Sequence, residues 1–351
     1  MDLLILGLAL IVILIGAELF TNGIEWFGRK LELAEGAVGS VLAAVGTALP
    51  ETMIPLVAIL FGTSEAADEI GVGAILGAPF MLATLAMFVT GVAILAVARS
   101  RAAGDVMRVD PGVLAHDMRY FVIGYTIAIG AAFLPADPVW TRWLAAAVLL
   151  GIYGWYVKAH FEADPDVDVS DLAPLRFHRL DRRAHRAEPA APRLRVVNLQ
   201  VLFALGCIIA GAIFFVDAVG SIADGLGIDG RLLALVVAPI ATELPEKFNS
   251  IIWVRQGKDT LAMGNITGAM VFQSTIPTVV ALVLAGSAWS VGPGSYTAFA
   301  SAGIAFASCA AIFLPMAQRG RLRGRGLLVG GAFYLAYLAL VVGVILGGPG
   351  G

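Results

Sequence analysis

Two long apolar runs, near the two ends of the chain, constrain its fold more than any other feature. "LLILGLALIVILIGA" covers residues 3–17 and "LLVGGAFYLAYLALVVGVILGG" covers 327–348, and neither run contains a charged residue. An α-helix needs about 20 consecutive apolar residues to cross a bilayer. Only 14% of the whole chain is charged, whereas a soluble domain carries about 25% charged residues. The sequence therefore predicts a polytopic, all-α membrane protein.

Apolar segments of this kind divide the chain into ten predicted transmembrane helices. They cover residues 2–20, 36–62, 70–97, 118–134, 138–160, 197–220, 230–254, 260–286, 295–317 and 326–347. The first run has no basic residue before it and no small-residue cleavage site after it, so we interpret it as a retained helix.

Basic residues divide unevenly between the two sides that ten spans define. Twenty of the 23 Lys and Arg residues lie in or beside loops near 21–35, 98–117, 161–196, 255–259 and 318–325. The other side holds Arg142 and Arg231, and Lys247 lies within a span. Cytoplasmic loops carry the excess of Lys and Arg. We therefore expect a protein of the cell (inner) membrane, with these five loops in the cytoplasm and both termini outside.

The chain contains two copies of one segment. Gly16–Glu51 aligns without a gap on Gly211–Glu246, and "LPE" ends both copies. Further on, "GAILGA" (73–78) corresponds to "GNITGA" (264–269). Each half holds five spans, an odd number, so the second copy enters the membrane from the opposite side. This inverted repeat is a common plan among secondary transporters.

The repeat also defines the predicted domains. A first five-helix repeat covers 1–160 with its motif at 41–84, and a second covers 197–351 with its motif at 236–278. The cytoplasmic loop 161–196 separates them.

Each copy places a proline and a glutamate in the middle of a span. A proline inside a helix removes a hydrogen bond, and freed backbone groups are tolerated at membrane depth only beside protein or a watery cavity. Ionisable residues at that depth are functional by default. We therefore predict discontinuous helices that meet at a cation site. Its carbonyl, hydroxyl and carboxylate oxygens suit a hard cation such as Ca²⁺.

These motifs resemble those of the calcium/cation antiporter superfamily, whose best-known members are sodium/calcium exchangers. "GTALPE" (46–51) is similar to its first repeat signature and "ATELPE" (241–246) to its second. The resemblance implies that Thr47, Glu51, Thr242 and Glu246 bind the cation, with Glu51 and Glu246 as the metal-binding carboxylates.

Four further residues belong to the candidate site, and each has two interpretations. Glu243 is either a cation ligand or one half of an ion pair with Lys247. Gln273 and Asn265 each either cap the site or bond a neighbouring helix. Lys247 either modulates the site, by replacing a bound cation with its ammonium group, or points elsewhere. Several polar residues of the superfamily pattern are replaced here, by Ala48, Ala78, Leu82 and Ala269.

The expected function is secondary active antiport rather than enzymatic catalysis. The protein would exchange Ca²⁺, or another cation, for Na⁺ or H⁺ by alternating access. The alternative is a non-coupled cation channel or a cation-sensing membrane protein on the same fold. We expect no cofactor beyond the transported ions. Small cations and the lipid bilayer are the expected partners, without nucleic acid, and a monomer is compatible with the sequence.

Overall fold

A computed structural model describes residues 1–30, 43–62, 65–135, 137–163, 174–180, 192–255, 257–292 and 294–347. Helices account for most of these residues. They are α1 (Asp2–Lys30), α2 (Ala43–Phe61), α3 (Glu65–Met81), α4 (Met87–Val97), α5 (Pro111–Ala131), α6 (Trp140–Ala163), α7 (Leu194–Leu226), α8 (Gly230–Arg255), α9 (Asp259–Leu284), α10 (Tyr296–Arg319), α11 (Gly324–Leu327) and α12 (Val329–Gly347). Two short antiparallel strands, β1 (Val106–Met107) and β2 (Leu322–Arg323), pair with each other.

Six helical segments within the described residues are long and apolar enough to cross a membrane. They are Asp2–Ile24, Ala67–Val97, Leu194–Leu226, Ala262–Leu284, Tyr296–Arg319 and Gly324–Val344. Two shorter apolar helices cover Glu51–Phe61 and Gly230–Ile240. The chain is thus an all-helical membrane protein, and among the residues that the structure describes only the ribbon of β1 and β2 departs from the all-α prediction.

Several helices extend beyond the apolar segments that predicted them. Helix α1 continues to Lys30 rather than ending near residue 20, and α5 begins at Pro111 rather than near residue 118. Asp110 caps α5, because its Oδ1 accepts hydrogen bonds from the N–H groups of Gly112 (2.7 Å) and Val113 (3.4 Å). Asp before Pro is a favourable helix start. Hydropathy does not report this start, because the first turns of α5 are polar.

The prediction of discontinuous helices at the two "LPE" motifs was wrong for the described residues. Helices α2 and α8 run through Pro50 and Pro245 without interruption. A proline removes one hydrogen bond and kinks a helix, but neighbouring helices can satisfy the freed carbonyl and let the helix continue.

An irregular turn occurs instead between α3 and α4, where Leu82–Ala86 forms a π-helix. The Thr84 hydroxyl donates to the Phe80 carbonyl at 2.6 Å, and the Ser308 hydroxyl of α10 donates to the Ala83 carbonyl at 2.6 Å. Hydroxyl groups thus bond backbone carbonyls before and within a turn that lies amid apolar side chains.

Helices α1 and α7 pack against each other through a reciprocal pair of glycines. A Cβ added at Gly16 would lie 2.8 Å from Ile208 Cγ1, and one added at Gly211 would lie 2.7 Å from Ile13 Cγ1. The same offset in sequence relates Gly16 to Gly211 and Ile13 to Ile208. Higher-numbered residues of α1 contact lower-numbered residues of α7, because Gly23 lies beside Val201. The two equivalent helices are therefore antiparallel.

Helices α3 and α8 approach each other closely at Gly73 and Gly77. A Cβ at Gly73 would overlap the Arg231 carbonyl oxygen, and one at Gly77 would overlap that of Leu235. Small residues four apart allow membrane helices to approach at the backbone. The glycine pair on α3 therefore acts as a helix-packing motif.

Contacts between loops agree with the alternation of sides predicted from the ten spans. Strand β1, in the loop after α4, pairs with β2, in the loop after α10. Arg101, in the same loop as β1, forms a buried 2.5 Å ion pair with Asp259 at the start of α9. At the opposite ends of the helices, Arg231 forms a 2.9 Å ion pair with Glu69. Each contact joins segments that the sequence places on one side.

Candidate cation-binding site

Four helices bring the two copies of the motif together. Helices α2 and α3 come from the first half and α8 and α9 from the second, and each of the four contacts the other three. The two "LPE" motifs lie on α2 and α8, and the two glycine motifs lie on α3 and α9. The fold therefore assembles both halves of the predicted site in one cluster.

Glu51 lies on a buried face of α2. Its side chain is 7% exposed, and both carboxylate oxygens are shielded from solvent. Ile54 and Ala58, about one and two turns further along, are 1% and 0% exposed and extend the same face. A carboxylate among such neighbours is costly unless a polar partner, a cation or a proton stabilises it. Thr47 belongs to the same helix, and its side chain lies outside the described part of the structure.

Thr242 is the described side chain of the second motif. It is 2% exposed, and its hydroxyl donates to the Ala238 carbonyl of the preceding turn at 3.0 Å. This bond uses the hydroxyl proton and leaves lone pairs of the oxygen available to a cation. The backbone of Glu243, Glu246 and Lys247 belongs to α8, and their side chains lie outside the described part.

Helix α9 contributes two predicted residues with different surroundings. Gln273 is 3% exposed and precedes three buried hydroxyl residues, Ser274, Thr275 and Thr278. Asn265 donates to the Ser250 hydroxyl of α8 at 3.3 Å. Of the two interpretations of Asn265, the structure thus shows the bond to a neighbouring helix.

Ser250 is a further buried polar residue of α8, and it is not among the residues predicted from the sequence. It is fully buried and lies four residues after Glu246 on α8. Residues four apart share a helix face, so this spacing was the signal that could have identified it.

The described residues do not contain a preformed acidic metal cage. No group of three or more His, Cys, Asp or Glu side chains that could hold a metal ion occurs among them. Three of the predicted cation ligands have described side chains, namely Glu51, Thr242 and Gln273, and they lie on three different helices.

A comparison with models of protein families identifies the family of this chain. The model of the family described as "Sodium/calcium exchanger protein" matches residues 1–161 and 197–346, which is most of the chain. The chain belongs to the sodium/calcium exchanger family. The match covers all four helices of the candidate site, and the family assignment predicted from the motifs is confirmed.

A curated relative of this exchanger supports the assignment. The "Putative antiporter CaxA" of Alkalimonas amylolytica is 25% identical over 318 residues, which cover 90% of this chain and 89% of the relative.

Solved structures share the exchanger's fold. The structure described as "H+/Ca2+ Exchanger CAX" has a TM-score of 0.69 at 16% identity, covering 97% of this chain and 82% of that one. The sodium-calcium exchanger NCX_Mj has a TM-score of 0.55 at 18% identity, covering 97% and 99%. At these identities the likeness concerns the fold.

Another buried carboxylate of the exchanger, besides Asp259, lies outside the predicted site. Asp117 of α5 is 1% exposed and accepts hydrogen bonds from the hydroxyl groups of Tyr156 in α6 (3.0 Å) and Thr267 in α9 (2.5 Å). Its hydrogen bonds thus connect α5 with α6 and with α9, the helix that carries Gln273. The apolar pattern predicts a loop at Asp117, because the charged and polar residues beside it interrupt the apolar run.

Proposed function

We propose that this exchanger is a secondary active antiporter that moves Ca²⁺ against H⁺ or Na⁺ by alternating access. The observation that carries the proposal is the burial of Glu51 on α2, within the four-helix cluster that both copies of the motif share. Glu51 and Glu246 would bind the cation. Thr47, Thr242, Glu243 and Gln273 would supply further oxygen ligands.

Coupling follows from the cost of an empty site. Two carboxylates in a site of low polarity cannot both stay ionised without a cation or a proton. In each half of the cycle the site must therefore be occupied, by Ca²⁺ or by the counter-ion, when the carrier changes the side to which the site opens. That requirement converts the gradient of one ion into work on the other.

The proposed topology is ten spans in two inverted five-helix repeats, with the basic loops in the cytoplasm. Three observations support it. The repeat-equivalent helices α1 and α7 are antiparallel, and their glycine contacts are reciprocal. Loops assigned to one side contact each other at both ends of the helices. In this topology the helices of each half can present the same site alternately to the two sides.

Protons are the counter-ion that the site residues favour. The family pattern implies polar side chains at positions that Ala78, Leu82 and Ala269 occupy here. Fewer oxygen ligands leave fewer places for Na⁺, while a carboxylate alone suffices for a proton. Lys247 would further reduce the number of counter-ions, if its ammonium group replaces one of them.

Flux measurements on reconstituted vesicles test the proposal. Purified protein is placed in proteoliposomes, and ⁴⁵Ca²⁺ uptake, Na⁺ movement and internal pH are followed with each ion gradient in turn. We expect Ca²⁺ uptake driven by an outward H⁺ or Na⁺ gradient, saturable with Ca²⁺, and its loss in Glu51→Gln and Glu246→Gln. The control is Glu18→Gln, which removes a 66% exposed carboxylate on the surface of α1.

Three results would contradict the proposal. Undiminished flux in both glutamine variants would remove these glutamates from the site. Ohmic current that no counter-ion gradient drives, or Ca²⁺ binding without flux, would favour the channel or sensor on the same fold.

A further inference from the structure

A groove lined by arginines lies at the end of the molecule that the basic loops occupy. It has a volume of about 700 Å³ and runs between the last turns of α10, strand β2, α11 and the start of α12. Four arginines line it, namely Arg319, Arg321, Arg323 and Arg325. Apolar side chains form the rest of its wall, namely Ala311, Ile312, Pro315, Met316, Leu322 and Val329.

The local sequence supplies the four arginines, and the fold brings them to one groove. "RGRLRGR" (319–325) places an arginine at every second position. Around the short strand β2 the chain is extended, and alternate residues there point to the same face. Arg321 and Arg323 are exposed at β2 whereas Leu322 is buried, Arg319 ends α10, and the exposed Arg325 lies in α11.

Contacts with β1 and α4 hold the arginine-bearing segment in place. Strand β2 pairs with β1 through Val106 and Arg323, and the Gly324 N–H donates to the Asp105 carbonyl at 2.9 Å. A Cβ at Gly324 would lie 2.9 Å from Ile94 Cγ2, so the backbone packs directly on α4. The charged face is therefore preorganised rather than assembled by a mobile loop.

The charge of the groove is positive. Among the described residues, Asp105 forms the ion pair that reaches this segment, with its Oδ2 3.8 Å from Arg325 Nε. Four guanidinium groups against one carboxylate leave a strong field for an anion. Arginine forks match the oxygens of a phosphate in pairs, which an ammonium group cannot do, and the segment 319–325 contains no lysine.

Exposed apolar side chains lie on the two long helices that line the groove. Leu314 of α10 and Leu335 of α12 are 61% and 66% exposed, as expected for helices whose outer faces contact acyl chains. A ligand with a phosphate at one end and hydrocarbon at the other would match both parts of the groove.

We propose that this groove binds an anionic phospholipid from the adjacent leaflet. The phosphodiester lies among the four arginines, and an acyl chain lies against the apolar wall of α10 and α12. Basic pockets beside membrane helices recognise anionic headgroups in this way. The proposal goes beyond cation transport and does not depend on which ions are exchanged.

Lipid titration of the full-length protein tests the proposal. The protein is purified in a neutral detergent and titrated with phosphatidylglycerol or with phosphatidylcholine of the same chain length, and native mass spectrometry counts bound lipids. The test variant is Arg321→Gln/Arg323→Gln. The control is Arg99→Gln/Lys258→Gln, which removes two exposed charges at the same end but outside the groove. Gel filtration and circular dichroism establish that each variant is folded.

We expect the parent to bind phosphatidylglycerol at least about tenfold more tightly than phosphatidylcholine, because several arginines contribute. The test variant should weaken phosphatidylglycerol binding about 30-fold, if each arginine contributes about fivefold. Arg319→Gln, outside the strand, should weaken it about fivefold on the same basis. The control variant should stay within about twofold of the parent, as expected when the lost charges lie outside the site.

Three results would overturn the proposal. Equal affinities for phosphatidylglycerol and phosphatidylcholine would show that the groove does not distinguish lipids by headgroup charge. Equal losses in the test and control variants would show a general effect of surface charge. Full displacement of phosphatidylglycerol by millimolar inorganic phosphate would make the ligand a soluble phosphate rather than a lipid.

Discussion

The reciprocal packing of Gly16 and Gly211 predicts matched effects of two substitutions that lie far apart in sequence. In Gly16→Ala the new Cβ would lie 2.8 Å from Ile208 Cγ1 and 3.1 Å from the Ala204 carbonyl oxygen. In Gly211→Ala the corresponding distances are 2.7 Å to Ile13 Cγ1 and 3.0 Å to the Ala9 carbonyl oxygen. The two sites thus agree to within 0.1 Å.

The magnitude follows from ordinary contact distances. Non-bonded carbon atoms settle about 3.5–4.0 Å apart, so each alanine forces the helices apart by about 1 Å or drives an isoleucine from its rotamer. Overpacking of this kind costs about 1–3 kcal/mol, and the higher helix propensity of alanine offsets up to about 1 kcal/mol. We expect each variant to lower the free energy of unfolding by about 1–2 kcal/mol, and the two losses to be similar.

Unfolding in mixed micelles with increasing dodecyl sulfate measures this free energy. Each alanine is also combined with a truncation of the isoleucine it contacts, as Gly16→Ala/Ile208→Ala and Gly211→Ala/Ile13→Ala. Each combination should show a favourable coupling of about 1 kcal/mol in a double-mutant cycle. The crossed combinations should show less coupling, because the added methyl group and the truncated side chain do not meet.

The control for these variants is Gly206→Ala on α7, where a Cβ would meet nothing within 4 Å. It should not lose stability. The reasoning is refuted if one alanine is neutral while its counterpart is destabilising, or if the crossed isoleucine truncations relieve the alanines equally well.

Four further predictions concern other parts of the molecule. Gly77→Ala should destabilise by about 1–3 kcal/mol in the same assay, because its Cβ would overlap a carbonyl of α8. Asp117→Asn should lower the free energy of unfolding by about 1–3 kcal/mol, because a carboxamide has one oxygen for the two hydroxyl donors. A reporter fused after Gly351 should be exported, because the basic loops place the C-terminus outside. Lys247→Met should increase the dependence of Ca²⁺ flux on counter-ions and alter its pH profile, because the site loses a tethered positive charge.

Each of these predictions has a result that would contradict it. Gly77→Ala with parental stability would mean that α3 and α8 are not in backbone contact, and an unchanged Asp117→Asn would mean that the carboxylate is not needed by its donors. A reporter that stays inside would show that a span was miscounted. Unchanged ion dependence, pH profile and charge movement in Lys247→Met would place this ammonium group away from the site.

Much of the fold could be predicted because the apolar residues that a bilayer requires lie in contiguous segments of the sequence. The apolar runs of α1 and α12 require helices at membrane depth. The repeated "LPE" segments could be aligned without coordinates and indicated the family. The burial of Glu51 also followed from its position within an apolar run.

Other features could not be predicted, because they depend on which helices become neighbours. Local rules predicted a break at Pro50, but α2 continues through it. Asn265 had two plausible roles until its bond to Ser250 on another helix was visible. Asp117 looked like a loop residue because its donors, Tyr156 and Thr267, lie on distant segments of the chain.

The sequence by itself determined that this protein is a helical membrane protein with an internal repeat, because hydropathy and repetition are properties of contiguous segments. Only the tertiary structure decided how the halves fit together. It placed α2, α3, α8 and α9 in one cluster and set Gly16 against Ile208 and Gly211 against Ile13. It also lined one groove with the four arginines of residues 319–325. These arrangements depend on packing between segments remote in the chain, and no local pattern of residues encodes such distances.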